Sequence, residues 1–374
     1  MRNPRQLYRS FLSHLQHVVT SSIALAELGA RLASAANIGL DTEFLRERTY
    51  RAQLCLVQLS SPGDAVCVDP LSVQDLGPLA AVLGASGTTK VMHASRQDLE
   101  VLYPIAGRVR PLFDTQIAAA LAGLPAQIGY AELVRRLLGK ELPKTHTRTD
   151  WSRRPLSPEQ IEYALDDVRY LLPLRSELEE QLDRHGRRPW LAQELRELED
   201  GRHFEPEPEQ AWLRIKGLRS LDPGRTRLAQ ALGAWRERRA IARNRPRGWI
   251  LDDVALREIV LQVPRSLEAL AVIPEMPAGV VSRCAAEILE CVRTAEIPDP
   301  PPPINTRQRP DPVRAALIKK LAALNQSIAA EVGLSPEVLA TRRDLEQLAE
   351  GRRDAGVLQG WRREIVGERL LSAL

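Results

Sequence analysis

Residues 38–44 constrain the fold more than any other stretch, because an apolar run leads directly into two carboxylates. Residues 37–40 have the character of a buried strand. Side chains alternate between the two faces of a strand, so Asp41 and Glu43 would share one face at its carboxyl end. Two like charges held close together raise each other's pKa. Such a pair is either an ordinary solvated strand end, or it binds a cation or takes part in acid–base chemistry.

The order of the apolar segments predicts a mixed sheet flanked by helices. Three strands joined by short links come first, and helices and strands then alternate, which is typical of an α/β domain with a mixed sheet. A helix that begins at Ser157 and Pro158 is predicted to run to about residue 183. The expected fold class is α/β, with a five-stranded mixed sheet whose strands lie at residues 37–40, 51–59, 65–68, 90–92 and 112–113.

Composition divides the chain into five parts. Residues 185–210 become polar and acidic, which indicates a domain boundary, and two later stretches have apolar residues at the three-and-four spacing of helices. Between those stretches lie four consecutive prolines, residues 300–303, which cannot form a helix or a central strand. We expect an N-terminal extension at residues 1–16, an α/β domain at 17–205, a helical-bundle domain at 206–296, a Pro-rich linker at 297–312 and a second helical-bundle domain at 313–374.

The composition also bears on the cellular compartment. No apolar run approaches the roughly 20 residues that span a bilayer, and His14 and His17 interrupt the N-terminal region, so no signal peptide is predicted. The four cysteines contain no Cys-x-x-Cys pair and indicate core positions in a reducing compartment. We therefore expect a cytoplasmic protein without a membrane partner, and a monomer.

The positive charge is unevenly distributed. Residues 214–247, called the basic block below, contain eleven Lys or Arg residues and two acids, so the block carries 11 − 2 = +9. Such a block is either a footprint for a phosphate backbone or a solvated helix face. Trp212, Trp235 and Trp249 lie in or beside it. We interpret them as tryptophans of a helical core, with stacking on bases as the alternative.

Three further residues could complete a site around Asp41 and Glu43. Asp98 falls in the first turn of the helix after the fourth strand, where an acid is also an ordinary partner of the helix dipole. Tyr163 and Asp167 are four residues apart, so they share one face of their helix. Many helices carry such a pair as a surface contact. Asp166, which precedes Asp167, would point away from that face into solvent.

Taken together, these motifs resemble the three exonuclease motifs of the DEDD superfamily of 3′-to-5′ exonucleases, and Tyr163 indicates the DEDDy branch. The resemblance covers residues of about 17–185 and implies a ribonuclease H-like fold. The helical bundles at 206–296 and 313–374 are then similar to tandem HRDC (helicase and RNase D C-terminal) domains. The surrounding sequence is similar to that of the bacterial ribonuclease D family: Leu40-Asp41-Thr42-Glu43-Phe44, His93-Ala94 before Asp98-Leu99-Glu100, Asp150-Trp151, Arg154-Pro155-Leu156 and Tyr163-Ala164-Leu165-Asp166-Asp167.

The resemblance implies two divalent metal ions, Mg²⁺ or Mn²⁺, and four clustered carboxylates are the hard oxygen ligands that these ions prefer. Asp41 would bridge the two ions. Glu43 and Asp167 would hold the ion that carries the attacking water, and Asp98 would serve the second ion through waters. Tyr163 is a poor general base because a phenol has a pKa near 10, so we expect it to orient the metal-bound water.

Other residues are candidates for contacts with the substrate. Family members pack residues just after the first motif against the terminal nucleotide, which makes Phe44 and Leu45 candidates, with plain core packing as the alternative. Basic residues that precede the third exonuclease motif, at Tyr163 and Asp167, could contact phosphates or form a solvated loop. They are Lys144, His146, Arg148 and Arg153. His93 ends a strand and is interpreted as a structural histidine outside the metal site.

The function expected from this resemblance is 3′-to-5′ exoribonuclease activity that releases nucleoside 5′-monophosphates by two-metal-ion hydrolysis. RNA is the expected partner, and tRNA precursors are implied by the resemblance alone. Two alternatives remain open. A DNA 3′-to-5′ exonuclease would use the same catalytic core, and a non-catalytic RNA-binding protein could be built on a nuclease fold. The presence of all five motif residues disfavours the second alternative.

Overall fold

The computed structural model describes residues 17–143, 149–218, 221–299, 301 and 311–374. These residues divide into two compact units. The first unit contains residues 17–45, 54–204 and 311–374, so it groups the C-terminal helices with the sheet. The second unit contains the segment 46–53 together with the helices that follow residue 204. In the described part of the chain, no helix is both long enough and apolar enough to cross a bilayer.

The first unit is built on a mixed sheet, as predicted, but the sheet has six strands rather than five. The order across the sheet is β1-β4-β3-β2-β5-β6. β1 runs parallel to β4, β3 antiparallel to β4, and β5 parallel to both β2 and β6. The missed strand is β1, whose two residues are too few to show a periodic pattern. The strands are β1 Val18–Val19, β2 Asn37–Leu45, β3 Gln53–Ser61, β4 Asp64–Val68, β5 Thr89–Met92 and β6 Leu112–Asp114.

The strand with the two acids is longer than predicted. β2 was expected to end at Leu40 but continues to Leu45, so Asp41 and Glu43 lie within the strand rather than after it. β2 lies between β3 and β5 in the sheet. Its backbone therefore has neighbouring strands on both sides, which extend the strand past the point where its sequence becomes polar. Ile38 and Leu40 are fully buried and fix the inner half of the strand in the core.

Helices cover the sheet of the first unit. The helix that carries Tyr163 begins as predicted: Ser157 accepts a hydrogen bond from the backbone of Gln160, which completes a capping box, and Pro158 occupies the first turn. It ends at Arg169 instead of continuing to residue 183. The helices are α1 Ser22–Leu32, α2 Gly77–Gly84, α3 Arg96–Ala106, α4 Thr115–Leu121, α5 Tyr130–Leu138, α6 Pro158–Arg169, α7 Leu171–Arg184 and α8 Arg188–Asp200.

The second unit is helical and has its own apolar core. Leu228 and Leu232 of its longest helix are fully buried against Leu256, Ile259 and Ile288. A 3₁₀ helix, Pro208–Arg214, packs along the longest helix. The remaining helices are α9 Pro223–Arg243, α10 Arg247–Ile250, α11 Asp253–Gln262, α12 Leu267–Ala271 and α13 Ala278–Thr294.

The C-terminal helices belong to the first unit. Leu321, Ile328 and Leu345 form part of their buried interior, and Trp361 is 4% exposed. A short π-helical turn, Arg363–Gly367, interrupts the last helical segment. The elements are α14 Pro312–Val332, α15 Pro336–Leu339, α16 Arg342–Ala349, the 3₁₀ helix Gly356–Leu358, α17 Gly360–Arg362 and α18 Glu368–Leu371.

Candidate active site

Strand β2 supplies two of the predicted acids. Asp41 and Glu43 are two residues apart in the strand, so their side chains leave the same face of the sheet. Burial raises the pKa of Asp41 well above its usual range, and the negative charges of Asp98, Asp167 and Glu43 raise it further. The charges of the other three carboxylates therefore act on Asp41 across a short distance.

Helix α3 brings Asp98 to the same group. Strands β2 and β5 are parallel, with Gly39 opposite Val91, so the chain leaves β5 at the edge of the sheet where Asp41 lies. Asp98 is 8% exposed in the first turn of α3, and the hydroxyl of Thr42 donates a hydrogen bond of 2.5 Å to its carboxylate. The residue between the two strand acids thus fixes the third acid.

Helix α6 supplies Tyr163 and Asp167, and a glycine allows this helix to approach the strand. A Cβ atom at Gly39 of β2 would lie 2.2 Å from the hydroxyl of Ser60 and 3.1 Å from the backbone oxygen of Val168. The hydroxyl of Ser60 donates a hydrogen bond of 2.8 Å to that oxygen. Because Val168 follows Asp167 directly, this close contact sets the distance between the acid of the helix and the acids of the strand.

Tyr163 lies half-buried beside Asp167. Burial raises the pKa of the phenol, and the charges of Asp167, Glu43 and Asp41 raise it further, so its hydroxyl stays protonated and bonds to Asp167. The ring of Trp151 packs at 6.1 Å between centroids, with the two planes inclined by 32°. Trp151 is 4% exposed and therefore fixes the orientation of the Tyr163 ring.

The remaining acids also hold their protons more tightly than usual. Burial raises the pKa of Glu43 to about 8, that of Asp167 to about 7 and that of Asp98 to about 6, and neighbouring carboxylates add to the rise. A divalent cation would neutralise these charges, and the all-oxygen donor set fits Mg²⁺ or Mn²⁺. In the described ranges, no three Asp, Glu, His or Cys side chains already form a group that could hold an ion. The carboxylates are neighbours, but they are not gathered into a coordination shell.

Three residues that support this arrangement were not identified from the sequence. Thr42 was noted only as the spacer between two acids. Tyr130 donates a hydrogen bond of 3.0 Å to the backbone oxygen of Asp166 and accepts one of 3.2 Å from the backbone of Tyr170, so it fixes the end of α6. Arg154 was quoted only as part of the resemblance. An exposed tyrosine or arginine would show the same local pattern, so only the folded chain identifies these contacts.

Arg154 fixes the segment that carries Trp151. It binds the carboxylate of Asp69 through two hydrogen bonds of 2.7 and 2.6 Å. The same guanidinium donates to the backbone oxygens of Cys55 and Trp151, each at 2.7 Å. Burial raises the pKa of Asp69, but the hydrogen bonds from Arg154 and Ser72 outweigh this and hold it below the usual range.

The predicted substrate contacts are placed only in part. Leu45 is half-buried and packs against a buried cluster that includes Trp151, as the alternative of core packing foresaw, and Phe44 is half-buried as well. Arg153 is exposed and pairs with Asp150 at 3.1 Å. Lys144, His146 and Arg148 lie outside the described residues.

Two neighbouring predictions have different outcomes. His93 is a hydrogen-bonded structural residue, as interpreted: its ring nitrogens lie 2.9 Å from the hydroxyl of Thr115 and 3.1 Å from the backbone oxygen of Ile128. Asp166 was expected to be solvated, but its side chain is only 15% exposed and pairs with Arg169. The basic partner three residues along the helix explains the difference.

The basic block is partly neutralised by ion pairs, some of them with acids that lie outside the block in the second unit. Arg225 is buried and pairs with Asp222 at 2.8 Å, and Arg236 is buried and pairs with Asp253 at 2.6 Å. The sequence count of +9 therefore overstates the charge available to a phosphate backbone. Further pairs join Arg238 to Glu209, Arg239 to Glu287 and Arg247 to Glu237.

The three tryptophans near the basic block do not share one role. Trp212 packs against the core of the second unit, as interpreted from the sequence. Trp235 also packs there, and its ring nitrogen donates a hydrogen bond to Glu287. The interpretation as core is wrong for Trp249, which is 60% exposed, because the short helix α10 turns its ring away from the core.

Comparisons with known proteins show what the chain is similar to. A family model described as 3′-5′ exonuclease matches residues 16–183, and a model described as HRDC domain matches residues 225–292. The Ribonuclease D of Nitrobacter hamburgensis is 38% identical over 360 residues, which cover 95% of this chain and 94% of that protein. The Ribonuclease D of Gluconacetobacter diazotrophicus is 39% identical over 364 residues, 95% of this chain and 92% of that protein.

A solved structure matches the whole fold. The crystal structure of Escherichia coli RNase D, described as an exoribonuclease involved in structured RNA processing, superimposes with a TM-score of 0.85 at 32% identity. The match covers 96% of this chain and 98% of that chain, so it includes the sheet, the HRDC region and the C-terminal helices.

Proposed function

Because the chain belongs to the ribonuclease D family and is a 3′-to-5′ exoribonuclease, we propose that it trims the 3′ ends of tRNA precursors with the help of two divalent ions. One observation carries this proposal. Strand β2 and helices α3 and α6 supply four carboxylates, and the charges of Asp98 and Asp167 raise the pKa of both Asp41 and Glu43. The description of the E. coli relative as an enzyme of structured RNA processing supports the class of substrate.

The exonuclease family depends on divalent metal ions, and the oxygen donors of this chain fit them. In the proposal Asp41 would hold both ions, Glu43 and Asp167 would hold the ion beside the attacking water, and Asp98 would serve the other ion through waters. When bound, such ions lower the pKa of the attacking water and neutralise the charge that develops on the phosphate. Thr42 keeps the carboxylate of Asp98 in place through its hydrogen bond of 2.5 Å.

Tyr163 has a different role from the acids. Its raised pKa keeps the hydroxyl protonated, so the phenol acts as a hydrogen-bond donor and not as a general base. We assign it the orientation of the attacking water, from the position that Trp151 and Asp167 define. Phe44 and Leu45 would hold the terminal nucleotide, and Lys144 and Arg148 would bind phosphates.

The proposal also covers the organisation of the protein. The product would be nucleoside 5′-monophosphates, and the protein would act as a monomer in the cytoplasm. The nuclease domain would comprise residues 17–205, and two HRDC-like domains would comprise residues 206–296 and 313–374. Their expected task is to add affinity for structured RNA, since backbone contacts of basic side chains give salt-dependent binding.

The substitution Asp41→Asn tests the catalytic assignment. It removes the carboxylate that binds both ions, so we expect hydrolysis of a 3′-extended tRNA to fall by more than about a hundredfold, with RNA binding retained. Asp166→Asn is the matched control, because it makes the same change at a carboxylate of helix α6 that pairs with Arg169 and has no assigned role in metal binding. Hydrolysis that survives Asp41→Asn would overturn the metal assignment.

Three measurements test the remaining parts of the proposal. Titration of Mg²⁺ or Mn²⁺ into the metal-free protein should give two binding events, and Asp41→Asn should weaken both. Parallel assays on matched RNA and DNA oligonucleotides compare the two substrate classes, and we expect faster hydrolysis of RNA. A product time course on 3′-extended tRNA should stop close to the mature end, whereas digestion into the stem would contradict the assignment to tRNA precursors.

A further inference from the structure

One tryptophan of the second unit has no place in its core. Trp249 is 60% exposed, although an indole ring gains free energy when it is buried. The guanidinium carbon of Arg245 lies 5.7 Å from the centre of the Trp249 ring, within the range of a cation–π contact. One face of the ring is thus covered by a cation, and most of the side chain remains open to solvent.

The charge around Trp249 is positive. Residues 238–251 contain no Asp or Glu. Arg243 and Arg245 are both exposed. A nucleic acid offers phosphates to such cations and flat bases to an exposed ring, and every base has a face that can stack. An acidic protein surface would match the positive charge of the arginines, but it would not supply a flat group to stack on the Trp249 ring.

The turn that presents Trp249 is held in place. Arg247 donates hydrogen bonds of 2.5 and 2.7 Å to the carboxylate of Glu237, which is 1% exposed. Asn244 adopts a left-handed conformation with φ of 45°, and its side chain accepts a hydrogen bond of 3.1 Å from the backbone of Tyr50. A ring on a fixed turn loses little conformational freedom when a ligand binds.

We propose that Trp249 and Arg245 form a stacking platform for single-stranded RNA, in which a base lies on the open face of the indole and Arg245 binds a backbone phosphate. This proposal rests on the proposed function, since it assigns a second contact to the same substrate. The segment 46–53 packs in the same unit as the platform, and Tyr50 follows Glu43 by seven residues in the chain. RNA bound at the platform is therefore held by the unit that also anchors the loop after the catalytic strand.

Binding is measured in an Asp41→Asn background, so that RNA is not degraded. The probe is a fluorescein-labelled oligoadenylate of about twelve nucleotides, read by fluorescence anisotropy. Because one stacked base contributes a measurable part of such an affinity, Trp249→Ala should weaken binding at least about fivefold. Trp249→Phe should retain most of the affinity, and Arg245→Ala should reduce the salt dependence of binding. The matched control is Leu267→Ala, another exposed apolar side chain of the second unit.

The same variants are then tested with Asp41 intact. Trp249→Ala should raise KM for the oligoadenylate and leave kcat unchanged, because the platform does not touch the reacting phosphate. Equal affinities of Trp249→Ala and the unsubstituted protein would overturn the platform, as would an equal loss in Trp249→Phe or in Leu267→Ala. Failure of the proposed function has a different signature: the unsubstituted protein would not hydrolyse the RNA in Mg²⁺ at all.

Discussion

The two helical regions that follow the nuclease motifs have similar apolar patterns, yet the folded chain holds them by different physical means. The C-terminal region is fixed to helix α8 by an aromatic contact. Trp361 stacks on Trp190 with 4.4 Å between ring centroids and 7° between planes. The ring nitrogen of Trp361 also donates a hydrogen bond of 2.8 Å to Glu194, and its backbone donates one of 2.9 Å to Gln193.

The region between the nuclease motifs and the proline-rich segment is held instead by contacts among Tyr50, Glu237 and Arg247, which we call the charged clamp. It forms a unit of its own and binds the segment 46–53 through Glu237. The hydroxyl of Tyr50 donates a hydrogen bond of 2.5 Å to this buried carboxylate, and Arg247 pairs with it. The guanidinium of Arg247 also lies 4.8 Å from the centre of the Tyr50 ring.

The difference shows that two helical regions with similar apolar patterns can depend on different forces. Stacked rings gain free energy from burial, which does not change with proton concentration. A buried carboxylate with cationic and hydroxyl partners gains free energy from charge interactions and hydrogen bonds. Because the carboxylate can take up a proton, that free energy changes with pH. The effects of substitutions in the aromatic contact and in the charged clamp should therefore differ in size, in location and in pH dependence.

Trp361→Ala should have the largest effect. Removal of a buried tryptophan leaves a cavity and costs about 3–5 kcal/mol of unfolding free energy. Hydrogen exchange should show this loss in helices α14 and α16 and not in α9 of the second unit. Trp361→Phe is the matched control, since it keeps an aromatic ring against Trp190 and loses only the bond to Glu194. Uniform destabilisation of both units would contradict the division of the chain.

Glu237→Gln should have a smaller effect, confined to the second unit. Breaking a fully buried ion pair costs about 3–5 kcal/mol, but Arg247 is 37% exposed and can be rehydrated. We therefore expect a loss of about 2 kcal/mol, measured by the hydrogen exchange of α9. Glu209→Gln is the control, because its partner Arg238 is largely exposed. A loss equal to that of Trp361→Ala would mean that the charged clamp resists rehydration.

Glu237→Gln also distinguishes the charged clamp from the aromatic contact by the response of stability to acid. Burial raises the pKa of Glu237, but the hydrogen bonds from Arg247 and Tyr50 outweigh this and lower it below the ordinary value. A lowered pKa gives stability that is present above the unfolded pKa of about 4.3 and is lost as the pH falls through the folded value. The second unit should therefore lose part of its stability in acid, and Glu237→Gln should lack that part of the decline.

The sequence was sufficient for features that depend on neighbours in the chain. Alternation along a strand placed Asp41 and Glu43 on one face, and helical spacing paired Tyr163 with Asp167. It was insufficient where the partner is remote. Nothing local distinguishes Trp361, whose stacking partner is more than a hundred residues away, from Trp249, which is exposed.

The charge of the basic block shows the same limit. The count of arginines was correct, but charge is neutralised by contacts in space and not by neighbours in the chain. Glu287 and Asp253 lie outside the block and pair with Arg239 and Arg236 inside it. The role of Thr42 could not be predicted from the sequence for a related reason: its partner, Asp98, is fifty-six residues away.

Tyr50→Phe should have the smallest effect and isolates one contact of the charged clamp. It removes the hydroxyl that donates to Glu237 but leaves the pair with Arg247 and the backbone bond to Asn244 intact. One neutral donor to a carboxylate contributes about 1.5 kcal/mol, so segment 46–53 should exchange its amide hydrogens about tenfold faster. In the double variant Tyr50→Phe with Glu237→Gln, the two losses should not add, because one substitution removes the donor of a hydrogen bond and the other replaces its charged acceptor by a neutral amide. Full additivity would mean that the hydroxyl of Tyr50 stabilises the segment independently of Glu237, through the hydrogen bond of 3.2 Å that it accepts from Arg247.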